Sequence, residues 1–216
     1  MLDLSSFNNL QLDAVCEVGN IGTGNAATAL SRLFSCPVEM DVPEAGLVSI
    51  YSLGEYYGDA DAAVAAVFVR SIGEFGCNLI FIQSEENSKL MVNLLLRQQF
   101  GDSMPNDLSQ EILDSALSEV GNIILSSFLN AINMLIGTQH QASVPGVARD
   151  ILGSILDVIA SLFGQMGEMA LIVNTELRFA GTGQNDVSDK KSISGNIVML
   201  PDPAALELLL KKLQVL

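Results

Sequence analysis

The chain has 216 residues, 49% of them apolar, and a mean hydropathy of +0.40, so it has enough apolar material for a core and is not a disordered chain. Its net charge of −15 excludes nucleic acid and anionic membrane surfaces as partners, because both repel an acidic protein. The simplest interpretation of this charge is that it keeps an apolar protein in solution. The three cysteines include no C-x-x-C pair, so neither a disulfide framework nor a zinc site is predicted.

The first residues, MLDLSSFNNL, place no basic group before an apolar stretch and are therefore unlike a secretory signal. The longest apolar region, at 116–137, is interrupted by Glu119 and by three asparagines. No uninterrupted run reaches the roughly 18 residues that would cross a bilayer. We therefore expect a cytoplasmic protein without membrane insertion.

Hydrophobic periodicity predicts a coarsely similar order of elements in each half of the chain. For the first half the predicted elements are a long helix at 8–34, a strand at 38–42, a short helix at 52–57, strands at 62–71 and 77–83, and a helix at 88–98. For the second half they are a long helix at 107–136, a helix at 148–163, a hairpin of strands at 168–180 and 192–200, and a helix at 204–213. A Gly/Pro/Asn/Asp-containing linker is predicted at 101–107, and a polar loop at 181–192.

This order indicates an α+β fold, because its strands are joined by hairpins and not by helical crossovers. We expect a single domain over residues 1–216, built of two pseudo-symmetric repeats at about 1–101 and 102–216. Each repeat would supply a long helix and hairpin strands to one shared, mainly antiparallel sheet.

The two long helices carry the same short sequence, E-V-G-N-I, at 17–21 and again at 119–123. At about 100° per residue, Glu17 and Asn20 lie on one narrow face of the first helix together with Asp13. The second helix places Ser115, Glu119 and Asn122 at the same angles, opposite a face rich in leucine, isoleucine and phenylalanine.

Such a polar stripe has two interpretations. A Glu and an Asn three residues apart are common on any solvent-exposed helix, and gene duplication also copies neutral residues. The residues alone therefore leave open whether the stripe is functional. Gly19 and Gly121 lie on the flank of each stripe, where a glycine indicates either a close helix or sheet contact or duplication alone.

The complete spaced pattern is more specific. Asp13, Glu17 and Asn20 are followed after 22 residues by Pro43, and the second helix repeats this spacing up to Pro145. The pattern resembles that of the CheC/CheX/FliY family of chemotaxis phosphatases, and the likeness extends over essentially the whole chain. Two copies of the motif, with no further domain after residue 216, are typical of the CheC-like members of this family.

The resemblance implies hydrolysis of the aspartyl phosphate on a CheY-type response regulator. The catalytic residues implied are Glu17, Asn20, Glu119 and Asn122. The asparagines would hold the attacking water, since a carboxamide both donates and accepts hydrogen bonds, and the glutamates would dock on the receiver's lysine. The protein would need no cofactor of its own, because Mg²⁺ is expected on the receiver. The same resemblance gives supporting roles to Asp13, Ser115, Pro43 and Pro145.

The resemblance also implies binding of CheD, a receptor-modifying deamidase, to the helix predicted at 148–163. Its acidic residues Asp150 and Asp157 are candidate contacts, although a plain solvent face explains them equally well. Two other classes of function stay open. The chain could be a non-catalytic adaptor that holds CheD or the flagellar switch, or a structural subunit that assembles through its apolar helices.

Overall fold

The computed structural model describes residues 9–101, 108–164, 169–179 and 191–212. The predicted linker at 101–107 and the loop at 181–192 lie almost entirely outside these residues. The α-helices of the described residues are α1 (Asn9–Leu33), α2 (Leu53–Tyr57), α3 (Glu85–Phe100), α4 (Gln110–Ile136), α5 (Leu152–Phe163) and α6 (Pro203–Lys212). The strands are β1 (Val38–Ser49), β2 (Ala63–Gly73), β3 (Cys77–Ser84), β4 (His140–Ala142), β5 (Gly146–Ile151), β6 (Met169–Phe179) and β7 (Lys191–Pro201).

These strands form one antiparallel sheet in the order β1-β6-β7-β3-β2-β4, and β5 continues along β2 beside β4. The order is pseudo-symmetric about the central pair β3 and β7. Each edge strand pairs with a strand of the other half, β1 with β6 and the β4/β5 edge with β2. The expected fold class, two repeats that share one antiparallel sheet, is confirmed.

Both faces of the sheet are covered, because successive strand residues point to opposite sides. Phe81 of β3 faces a large core formed with α1, α3, α4 and α6, and its neighbour Ile80 faces a smaller core formed with α2 and α5. Burial on both sides explains why β3 is apolar almost without interruption and did not show the alternation of a half-exposed strand.

The long helices, the central strands and the terminal helices lie where the sequence predicts them, within a few residues. Two elements of the first half differ, and strand β4 of the second half was not predicted. The strand predicted at 38–42 runs on to Ser49, because its second part also pairs with β6 after a register shift between Asp41 and Glu44. The short helix predicted at 52–57 begins as a 3₁₀ turn, Ile50–Ser52, and continues as α2.

The helix predicted at 148–163 is wrong at its start. Residues 146–151 form strand β5 against β2, and the helix begins only at Leu152. The backbone hydrogen bonds of this edge strand outweigh the local helical pattern. The strand was not predicted because Arg149, which faces the helical layer, is a residue type that does not indicate a buried strand position.

Candidate functional site

The first polar stripe lies on the outer face of α1. Asp13, Glu17 and Asn20 are exposed, and the residues between the last two, Val18 and Gly19, are buried against the sheet. The periodicity of the helix produces this alternation, since neighbours in sequence are separated by about 100°. The structure thus places the three predicted residues on one solvent-facing side.

The second stripe lies on α4 in the same way. Ser115 and Glu119 are exposed, Asn122 is half-buried, and Val120 and Gly121 are buried below them. The opposite face of α4 packs into the core as predicted, except that Leu135 near the helix end is 38% exposed. Both stripes therefore lie on the outside of the same helical layer.

Glycines allow this layer to lie close to the sheet and the two helices to lie close to each other. A Cβ built on Gly121 would be 2.6 Å from Cβ of Val67 in β2. A Cβ on Gly22 of α1 would be 3.0 Å from the Phe128 ring of α4. At Gly19 the corresponding distance to Val42 is 3.5 Å, an ordinary contact. The expected close contact is therefore found at Gly121, and Gly22 makes a further close contact that was not predicted.

The two prolines of the pattern lie in the sheet and not on the helices. Pro43 lies at the register shift of edge strand β1, and Pro145 lies in the break between β4 and β5 on the opposite edge. A proline has no N–H for a strand ladder, so edge strands and irregularities are the places that tolerate it. The matched spacing to each proline thus corresponds to matched interruptions of the two edges.

The asparagines differ in their immediate surroundings. The Oδ1 atom of Asn122 accepts a hydrogen bond from the Ser126 hydroxyl at 3.2 Å. On α1 the buried Thr23 hydroxyl donates to the backbone oxygen of Asn20 at 3.0 Å, and not to its side chain. Within the described part of the chain, no side chain hydrogen-bonds to the Asn20 carboxamide.

The second stripe borders a groove between α3 and α4 of about 510 Å³. Ser115, Glu119 and Glu111 lie along one side. The apolar part of its lining consists of Leu95, Leu96, Phe100, Ile112 and Ala116. The groove gives this stripe an apolar border next to its carboxylates.

An ion-pair network that was not predicted from the sequence holds α4 beside the second stripe. Arg149 of β5, whose side chain is 17% exposed, bonds through Nε to Asp114 of α4 at 2.6 Å. Its Nη1 bonds to Glu85 at 2.5 Å and to Ser88 at 3.1 Å, both on α3. Three separate elements meet here, and no local sequence signal indicates such a long-range contact.

The two candidate CheD contacts lie in different elements, because the helix predicted at 148–163 begins only at Leu152. Asp150 lies in β5, exposed, and its Oδ1 accepts the Ile151 backbone N–H at 2.7 Å. Asp157 is exposed on α5 itself. That helix buries one apolar face and leaves Val158 and Leu162 exposed, by 49% and 60%.

Two further features concern metal binding and the apolar character of α4. Among the described residues, no group of three or more histidine, cysteine, aspartate or glutamate side chains could hold a metal ion. In the same residues, α4 is long and apolar enough to cross a membrane by length and composition, and half of its most apolar window is buried inside the fold. Its apolar side chains thus contribute to the core between the helices and the sheet.

Comparison with known proteins places this geometry in a family. Residues 10–47, which contain the first stripe and the β1 proline, match the CheC-like family. The CheY-P phosphatase CheC of Bacillus subtilis (strain 168) is 32% identical over 203 residues, which cover 92% of this chain and 93% of that protein. The chain belongs to the CheC-like family.

Solved structures agree with the fold of this CheC-like protein. FliY of Thermotoga maritima superposes with a TM-score of 0.71 at 17% identity and covers 96% of this chain and 98% of its own. The FliM middle domain from H. pylori has a TM-score of 0.63 at 12% identity, with 95% and 99% covered. The architecture is therefore common to proteins of very different sequence.

The CheC-like chain presents a carboxylate and a carboxamide together on each of two long helices. Glutamate is an acceptor for a cationic group, and asparagine can both donate to and accept from a water molecule. Neither residue is a strong nucleophile in this setting. The arrangement therefore suits docking and water placement better than covalent catalysis.

Proposed function

We propose that the protein hydrolyses the aspartyl phosphate of a CheY-type receiver domain in the cytoplasm. Two Glu and Asn pairs on the outer side of the helical layer of a CheC-like chain carry this proposal; Asn122 is half-buried and the other three residues are exposed. The similarity to the B. subtilis relative, a CheY-P phosphatase, supports this substrate class.

In the proposed mechanism, the receiver docks on the outer face of α1 or α4. Glu17 or Glu119 pairs with the receiver's lysine, and the Mg²⁺ that neutralises the phosphoryl group belongs to the receiver. Asn20 or Asn122 holds a water in line with phosphorus, which that water attacks. The P–O bond to the aspartate breaks, and the aspartate carboxylate leaves as orthophosphate forms. Positioning of this kind contributes by fixing geometry and needs no covalent intermediate on this chain.

Acidic charge on both stripes supports docking of a cationic partner. Asp13 adds a second carboxylate beside Glu17, whereas the equivalent residue of the second stripe is Ser115. Opposite charges raise the rate of encounter and fix the orientation of the partner more than they raise affinity. The two stripes thus differ in the electrostatic field that a docked receiver would meet.

The test is dephosphorylation of a phosphorylated receiver by Asn20→Ala, Asn122→Ala and the double variant. In the double variant, the increase in dephosphorylation rate over that of the receiver alone should be about 10- to 100-fold smaller, the size expected when a water is no longer positioned. Asn25→Ala and Asn130→Ala remove exposed asparagines elsewhere on the same two helices and serve as matched controls. Wild-type rates in the double variant would rule the mechanism out.

We also propose that CheD binds this protein and modulates its phosphatase activity; in the alternative function, a non-catalytic adaptor, binding of CheD or the flagellar switch is the main role. The exposed Val158 and Leu162 on α5 support CheD binding, because they form an apolar strip on the sheet face away from both stripes. Asp157 lies on the same helix and Asp150 in the strand before it. Val158→Ser with Leu162→Ser should abolish CheD capture and leave basal phosphatase activity unchanged; capture by the double serine variant would exclude this surface.

A further inference from the structure

The second stripe contains a hydrogen bond that the first stripe lacks. Ser126 lies one turn after Asn122 and donates its hydroxyl to Oδ1 of that side chain at 3.2 Å. The corresponding residue on α1, one turn after Asn20, is Gly24, which has no side chain. The repeats thus differ at the residue four positions after the asparagine.

This contact is not the usual behaviour of a hydroxyl inside a helix. Such groups mostly donate to the backbone oxygen four residues earlier. Two residues of α1 do so: Ser31 bonds to the Ala27 oxygen at 2.7 Å, and Thr28 bonds to the Gly24 oxygen at 3.1 Å. Ser126 is directed to a side chain instead, and that side chain is the half-buried Asn122.

We propose that Ser126 is a positioning residue for Asn122. Its hydroxyl occupies one of the two lone pairs on Oδ1 and fixes the plane of the carboxamide. The second lone pair and both N–H donors stay available to a water. Holding the amide in one orientation removes a rotation that would otherwise have to be frozen when the water is placed. The inference rests on the proposed function, since it assigns a role within the same site.

The first stripe provides the reverse experiment. A Cβ built on Gly24 meets no heavy atom within 4 Å, so a serine fits there without displacing a neighbour. Gly24→Ser therefore introduces the hydroxyl one turn after Asn20, and Gly24→Ala adds only the Cβ and the helix propensity. The difference between these two variants isolates the hydroxyl.

The experiment measures kcat and KM for a phosphorylated receiver in backgrounds with a single working stripe. In Asn20→Ala, which leaves the second stripe, Ser126→Ala should lower kcat about fivefold with KM unchanged, the size of one net hydrogen bond. Ser126→Thr keeps the hydroxyl and should recover most of the loss. In Asn122→Ala, which leaves the first stripe, Gly24→Ser should exceed Gly24→Ala in kcat. Ser118→Ala, on the same helix, is the matched control and should not change kcat.

Each alternative result is informative. If Ser126→Ala keeps its kcat while Asn122→Ala in the same background abolishes activity, the role of Ser126 is refuted and the proposed function stands. Equal losses in Ser126→Ala and Ser126→Thr also refute it, because the hydroxyl is then not the cause. If Asn122→Ala has no effect in that background, the proposed function and this inference fail together. Urea unfolding of each variant checks that the half-buried site still folds.

Discussion

Gly121 and Gly19 occupy equivalent positions in the two repeats, but the space beside them differs. A methyl group on Gly121 would lie 2.6 Å from Cβ of Val67, an atom fixed to the backbone of a buried strand. Overpacking of this kind costs about 1–3 kcal/mol, and replacing glycine in a helix returns about 1 kcal/mol. Because this contact is shorter than real Cβ contacts, we expect Gly121→Ala to lower the free energy of unfolding by about 1–2 kcal/mol net. At Gly19 the nearest atom is 3.5 Å away, so Gly19→Ala should gain up to about 1 kcal/mol.

Urea unfolding followed by circular dichroism measures both changes. For a chain of this size, a loss of about 1–2 kcal/mol corresponds to a Tm lower by about 2–8 °C, and the m-value should stay constant. Gly24→Ala, with open space around its Cβ, is the control for helix propensity alone. A Gly121→Ala variant as stable as the wild type, or a Gly19→Ala variant that loses as much stability as Gly121→Ala, would contradict the difference in packing at the two glycines.

Three other outcomes follow from the structure. Arg149→Met should lower the free energy of unfolding, measured with denaturant, by about 2–3 kcal/mol, less than for a fully buried pair because Asp114 is 36% exposed. As a control, Lys89→Met should cost under about 1 kcal/mol, because the Lys89 side chain is 60% exposed. Burial raises the pKa of the Cys77 thiol, so the folded state keeps that proton to higher pH than the unfolded chain does. The free energy of unfolding should therefore fall as the pH rises above about 9. Denaturant unfolding at pH 8, 9 and 10 measures this fall, which should be smaller in Cys77→Ala. Glu119→Gln, measured in Asn20→Ala, should raise KM for the receiver with little change in kcat, and a pure kcat effect would instead argue against a docking role.

The helices that carry the stripes were predictable because their apolar residues recur with the period of a helix over more than 20 positions. The central strands were predictable because they are apolar and bounded by turns. Edge strand β5 was not predictable, since Arg149 is buried by partners on α3 and α4 that are distant in sequence. A single sequence gives no local signal for such a network.

Within the candidate site, the exposed positions of Glu17, Asn20, Glu119 and Ser115 followed from helix geometry alone. Helix geometry did not predict that Asn122 accepts a hydrogen bond from Ser126 and that, among the described residues, Asn20 has no equivalent contact. The contact from Ser126 depends on a rotamer choice between a backbone oxygen and a side chain, and the spacing of four residues permits either. The roles of the residues stay predictions until they are measured.

The central claim is that the two asparagines place the water that attacks the phosphorylated receiver. A single-turnover assay with receiver labelled on phosphate tests it most directly, with wild type, Asn20→Ala, Asn122→Ala and the double variant compared at saturating protein. We expect a reduced rate in at least one single variant and a rate close to that of the receiver alone in the double variant, with binding retained. A double variant that binds the receiver and releases phosphate at the wild-type rate would contradict it.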